Sequence, residues 1–62
     1  MPIVKIDMWD GKGDEKKKKL IESVSRAVAE SLDIPLEWVH IVINENPKEN
    51  WGLNGNQASE DY

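Results

Sequence analysis

The chain has 62 residues, no cysteine, 39 % hydrophobic and 32 % charged residues, and a formal net charge of -4. One core is all that such a length sustains, so a single domain over residues 1–62 is expected, with neither disulfides nor thiolate metal ligands. The acidic balance argues against a nucleic-acid surface, no apolar run approaches the roughly 18 residues of a membrane span, and the N-terminus lacks a signal-like order, which leaves the cytoplasm as the expected location.

From Pro2 to Trp9 the residues Val4, Ile6 and Met8 fall on one side of an extended chain and Lys5 and Asp7 on the other, which predicts a strand with one apolar face. Asp10 to Gly13 interrupt the pattern with two glycines, so a turn follows. Asp14 and Glu15 suit a helix N-terminus, and Leu20, Ile21, Val24, Ala27, Val28 and Leu32 recur at helical spacing, predicting one amphipathic helix of about five turns. Asp33 and Pro35 stop it, a short turn passes through Leu36 and Glu37, and Trp38 to Ile43 repeats the one-faced strand pattern through Val39, Ile41 and Ile43. From Asn44 on the residues are polar and aperiodic, predicting a loop, and Asn54-Gly55 marks a C-terminal hairpin. Strand, long helix, strand is an α/β (α+β) arrangement: a βαβ subunit with parallel strands and a right-handed crossover helix. Ordering such a chain costs about 1.5 kcal/mol per residue, roughly 90 kcal/mol in all, which so small a core barely offsets. With no disulfide and a single histidine, self-association is the remaining means of stabilisation, so a homo-oligomer is expected.

Few residues carry chemistry. Lys16 to Lys19 step about 100° around a helix and so form no continuous stripe; they read as a solvated face, with only Lys17 falling on the apolar side. A small nucleic-acid-binding module led by those lysines is the weakest of the functional readings. His40 has no partners at ligand spacing, so no metal is expected there. Trp9, Trp38 and Trp51 read as core or interface, with Trp51, between a polar loop and Gly52, also suited to a pocket wall. Pro2 suits the first position of a strand. Loss of Met1 would also make it a secondary amine, and burial and nearby cations lower the basicity of such an amine toward the range of a general base. Parallel strands begin at one sheet edge, so the stretch from Trp38 to His40 is expected beside Pro2.

Taken together, the start Met-Pro-Ile-Val-Lys-Ile, the turn Asp-Gly-Lys-Gly-Asp-Glu, the helix end Ser-Leu-Asp-Ile-Pro, the strand Val-His-Ile-Val-Ile-Asn-Glu and the tail Asn-Trp-Gly-Leu-Asn-Gly resemble the 4-oxalocrotonate tautomerase family from Met1 to about Ser59. The resemblance implies a homohexamer of βαβ subunits. It also implies a tautomerase in which the N-terminal proline moves a proton between oxygen and carbon of a 2-hydroxydienoate such as 2-hydroxymuconate, or of an enol pyruvate, without cofactor or metal. Pro2 falls on the catalytic proline and Trp51 on the aromatic pocket residue. Lys12 falls on an arginine that binds the distal carboxylate, and His40 on an arginine that binds the carboxylate and 2-oxygen near the reacting carbon. Lysine keeps the charge but loses the planar fork, and histidine is only partly charged near neutrality. The alternative is therefore a non-catalytic oligomer of the same fold, structural or ligand-binding. Lys12 and Trp51 lie beyond the far ends of the strands from Pro2, so a shared pocket would draw on neighbouring chains.

Overall fold

Parallel pairing organises the chain. The computed structural model describes residues 1–61; Tyr62, the last residue of the expected domain, lies outside the described residues. Strand β1 (Ile3–Trp9) leads through the turn to helix α1 (Asp14–Leu32), and strand β2 (His40–Asn46) returns parallel to β1. A C-terminal hairpin follows, β3 (Gly52–Leu53) and β4 (Asn56–Gln57), and then the short helix α2 (Ala58–Asp61). The predicted α+β architecture is therefore the observed one.

Each boundary has a local cause. Gly11 and Gly13 hold φ of 98° and 84°, the left-handed region that favours glycine, and Gly13 caps α1, its carbonyl accepting the Lys17 N–H at 3.2 Å. Helix α1 ends in a Schellman motif: Asp33 is left-handed at φ 54°, the Ile34 N–H donates to the Ala29 carbonyl at 3.1 Å, and the Asp33 N–H donates to the Glu30 carbonyl at 3.4 Å. Asn54 and Gly55 both take positive φ, 56° and 80°, as a two-residue hairpin turn demands.

The second strand is displaced from its expected position. Trp38 was expected within it but belongs to a 3-10 turn, Leu36–Trp38, with the Trp38 N–H bound to the Pro35 carbonyl at 3.1 Å. At the other end Asn44, Glu45 and Asn46, expected to be loop, pair with Asp7, Met8 and Trp9. Backbone pairing is indifferent to side-chain polarity, so β2 runs as far as β1 offers a partner and Pro47 ends it.

The core lies between α1 and one side of the sheet. Val4, Ile6 and Met8 of β1 and Ile41 and Ile43 of β2 face Leu20, Val24, Val28 and Ala29, yet among the described residues only Ala29 and Ala58 are buried. The helix stripe is wider than two strands, spaced about 4.8 Å apart, can cover. Ile21, Ala27 and Leu32 therefore stay exposed, although they share the predicted spacing. On the opposite side of the sheet Ile3 is 62 % exposed and Val42 43 % exposed. The radius of gyration is 14.4 Å, where a compact chain of this length would measure about 10.6 Å. Accessible surface amounts to 4838 Å², against about 4,100 Å² for a folded monomer of this mass. No helix among the described residues is long and apolar enough to cross a membrane.

Lys17 ties α1 to β2. Its stem lies along the half-buried side and its ammonium, expected to end in water, reaches Glu45 Oε1 at 2.8 Å. That hydrogen bond, together with the carboxylate's charge, raises the Lys17 pKa above the usual 10.5. A raised folded-state pKa contributes stability that is complete below the unfolded value and is lost as pH rises through the folded one. Wild-type protein is thus expected to lose stability relative to Lys17→Met only above about pH 10.5, as read by urea midpoints at pH 8, 10 and 11.5. Separately, Val24→Ala or Ile41→Ala is expected to lower stability by about 1 to 3 kcal/mol, since each removes methyl groups from the helix–sheet contact; denaturant titration measures this.

Candidate active site

The two ends of the β1–β2 pair carry different chemistry. At the N-terminal edge Ile3 lies opposite His40, and the His40 N–H donates to the Pro2 carbonyl at 3.0 Å. Pro2 and His40 are thereby neighbours in one chain, as the parallel topology predicts. Pro2 is half-buried, and His40 is exposed on the sheet side away from α1, which it shares with Ile3 and Val42.

The C-terminal edge holds Lys12 and Trp51. Lys12 is exposed in the glycine-flanked turn that follows β1. Trp51 meets Trp9 edge to face, with ring centroids 5.9 Å apart and planes at 77°. The Lys48 ammonium sits 4.8 Å from the centroid of the Trp9 ring. Alternation along β1 assigns Trp9 to the side away from α1, where Ile3, Lys5 and Asp7 are exposed; Trp9 is half-buried because Trp51 and Lys48 close over it. The backbone around Trp51 is itself held. Its N–H donates to the Lys48 carbonyl at 3.2 Å, and its carbonyl accepts the N–H of the buried Ala58 at 2.8 Å. Gln57 Nε2 donates to the Glu49 carbonyl at 2.8 Å, which ties the hairpin to the same turn. Trp51 opens onto a concavity of about 500 Å³ that it lines with Glu49, Asn50 and hairpin residues.

Six residue steps separate Ile3 from Trp9, about 20 Å at strand rise. The fold therefore pairs Pro2 with His40 and sets Lys12 and Trp51 at one common edge, but it keeps the two pairs apart within a chain. Trp9 and Lys48 are parts of this edge that sequence reasoning did not assemble. Trp9 was visible as an aromatic residue, but its contact with a residue 42 positions later depends on the path of the chain after β2. Among the described residues no group of three or more His, Asp or Glu side chains is arranged to hold a metal ion.

The Trp9–Trp51 contact has a measurable energy. A double-mutant cycle built from Trp9→Leu and Trp51→Leu, followed by chemical denaturation, is expected to give a coupling of about 0.5 to 1.5 kcal/mol.

Comparison with known proteins matches this fold and its residues. A family model described as tautomerase enzyme matches residues 2–60. The 2-hydroxymuconate tautomerase of Pseudomonas sp. (strain CF600) is 48 % identical over 59 residues, covering 95 % of this chain and 94 % of that protein. Two solved structures superpose with a TM-score of 0.94 at 32 % identity: apo unFused 4-OT, covering 97 % of this chain and 98 % of that one, and a heterohexamer 4-oxalocrotonate tautomerase from Chloroflexus aurantiacus J-10-fl, covering 100 % of both. With the parallel pair, the long crossover helix and the C-terminal hairpin all present, the chain belongs to the tautomerase family, among the relatives of 4-oxalocrotonate tautomerase.

Proposed function

We propose that the protein is an isomerase that ketonises small 2-hydroxydienoates such as 2-hydroxymuconate, or enol pyruvates, at sites shared between subunits of a homohexamer. The observation that carries this reading is the separation of two complementary half-sites: Pro2 with His40 at one sheet edge, Lys12 with Trp51 at the other. A chain with both halves and no means of joining them completes a site by meeting a second copy. Exposed apolar residues support the assembly, since Ile3, Val42, Leu32 and Leu36 are left uncovered. The Chloroflexus aurantiacus relative is a heterohexamer.

Each residue has one task. Met1, 79 % exposed, is accessible to removal, which leaves Pro2 as a secondary amine. That nitrogen takes the enol hydroxyl proton and returns it to carbon, so protons balance and no oxidant or reductant enters. Lys12 holds a carboxylate as a point charge, His40 contacts the oxygen at which negative charge develops, and Trp51 forms the wall.

Ultraviolet-monitored ketonisation of 2-hydroxymuconate and phenylenolpyruvate tests the reading. Pro2→Ala keeps a basic nitrogen but changes its position and basicity, so kcat is expected to fall by about 100-fold without vanishing, with the oligomer intact. His40→Arg adds a permanently charged fork and is expected to raise kcat. Protein that retains Met1 is expected to be inactive, and rates equal to those of the processed form would overturn the amine mechanism. Sedimentation is expected to show six chains; a folded monomer at micromolar concentration would overturn the shared site, and an intact hexamer inactive in every form would favour the non-catalytic alternative.

A further inference from the structure

We infer that Lys17 and Glu45 are positioning residues for substrate: their ion pair fixes the turn that presents Lys12, and through Lys12 it sets the affinity for a substrate's second carboxylate. The inference rests on the tautomerase reading and adds a control on Lys12 rather than a new contact to substrate.

The turn itself carries little that could fix it. Residues 10–13 are all exposed, and a Cβ built on Gly11 or Gly13 would meet nothing within 4 Å. Both glycines hold positive φ, so Lys12 stands between the two residues of widest backbone freedom. Gly13 caps α1, and no side-chain hydrogen bond secures that cap. The placement of Lys12 therefore depends on what holds the two ends of the turn.

Both ends are tied to the last residues of β2. On the β1 side, the Asp10 N–H donates to the Asn46 carbonyl at 3.1 Å, which continues the pairing past Trp9. On the helix side one residue makes the tie. Lys17 donates its backbone N–H to the Gly13 carbonyl at 3.2 Å and its ammonium to Glu45 Oε1 at 2.8 Å. Glu45 and Asn46 are consecutive, so the two ties close a frame with the turn on one side and the end of β2 on the other. Breaking the ion pair leaves the turn bound at that end to the helix alone, and Lys12 gains freedom relative to β2. A lysine is a flexible point charge, so the position of its backbone decides how much of its ordering is complete before a carboxylate arrives.

Loss of either partner breaks the pair, yet the two losses change the local field in opposite senses, which separates positioning from simple charge. In processed protein, Lys17→Met and Glu45→Gln are both expected to raise KM for 2-hydroxymuconate about threefold with kcat little changed, the scale of one partly exposed ion pair. KM for phenylenolpyruvate, which has a single carboxylate, is expected to stay the same. Lys17→Arg retains the pair and is expected to keep the wild-type KM. In a Lys12→Met background Glu45→Gln is expected to add nothing, because the pair acts through Lys12. Lys17→Gln replaces Lys17→Met if sedimentation shows that variant unassembled. Shifts of opposite sign, equal shifts for both substrates, an undiminished Glu45→Gln effect without Lys12, or no shift at all would overturn the inference. Should 2-hydroxymuconate not be turned over, calorimetric titration with adipate decides the inference instead, and the tautomerase reading itself has failed only if phenylenolpyruvate is not turned over either. Adipate affinity reduced about threefold in both single variants would sustain the positioning role; unchanged affinity, or no adipate binding by any form, would overturn it.

Discussion

Parallel pairing of two strands requires a long crossover, and in a chain of 62 residues one helix of 19 residues is all the crossover there is. That constraint dictates the rest. One helix covers one side of a two-stranded sheet, so Ile3 and Val42 on the other side face outward, and each strand has a neighbour on one side only. With only two small side chains buried among the described residues, Ala29 and Ala58, the chain draws little cohesion from its own interior. The surface in excess of a compact monomer is the cost of building with parallel strands at this length, and covering it by other copies is the economical remedy. Strand edges with open backbone groups add directionality to what would otherwise be nonspecific apolar contact.

Much of this was legible in the residues themselves. Alternation at Val4, Ile6 and Met8, helical spacing at Leu20, Val24 and Val28, and the stop at Asp33 and Pro35 are local signals, and the structure keeps them. Asn54-Gly55 likewise announces its turn through backbone conformations that other residues resist. What the sequence concealed was decided by partners distant in the chain. Asn44 to Asn46 look like loop and become strand because β1 extends beside them, whereas Trp38 looks like strand and becomes a turn because Pro35 supplies a carbonyl three residues earlier. Ile21 and Leu32 carry the same signal as Val24, and only the width of the sheet separates the covered from the uncovered. For the site, the adjacency of Pro2 and His40 followed from topology alone, while the corner of Trp9 and Trp51 required knowing where the connector after Pro47 leads.

The residues at the two edges also express a shift in chemical character. Where the family's resemblance leads one to expect two guanidinium groups, this chain carries an imidazole and an ammonium, and it sets two indoles together at the edge that bears the lysine. Guanidinium groups recognise oxygen pairs through paired, planar hydrogen bonds, whereas indoles recognise flat apolar surface and tolerate variation in its outline. At Lys12 an ammonium keeps the positive charge of a guanidinium without its planar fork.

One hydrogen bond described above separates two events in the life of the chain. The His40 N–H reaches the carbonyl of Pro2, not its nitrogen, and no rung of the β1–β2 ladder lies further toward the terminus. Everything that anchors residue 2 therefore acts from its C-terminal side. Cleaving the peptide bond before Pro2 would therefore break no rung of the ladder. On the proposed reading, loss of Met1 would change one functional group at residue 2 and leave the ladder beside it intact.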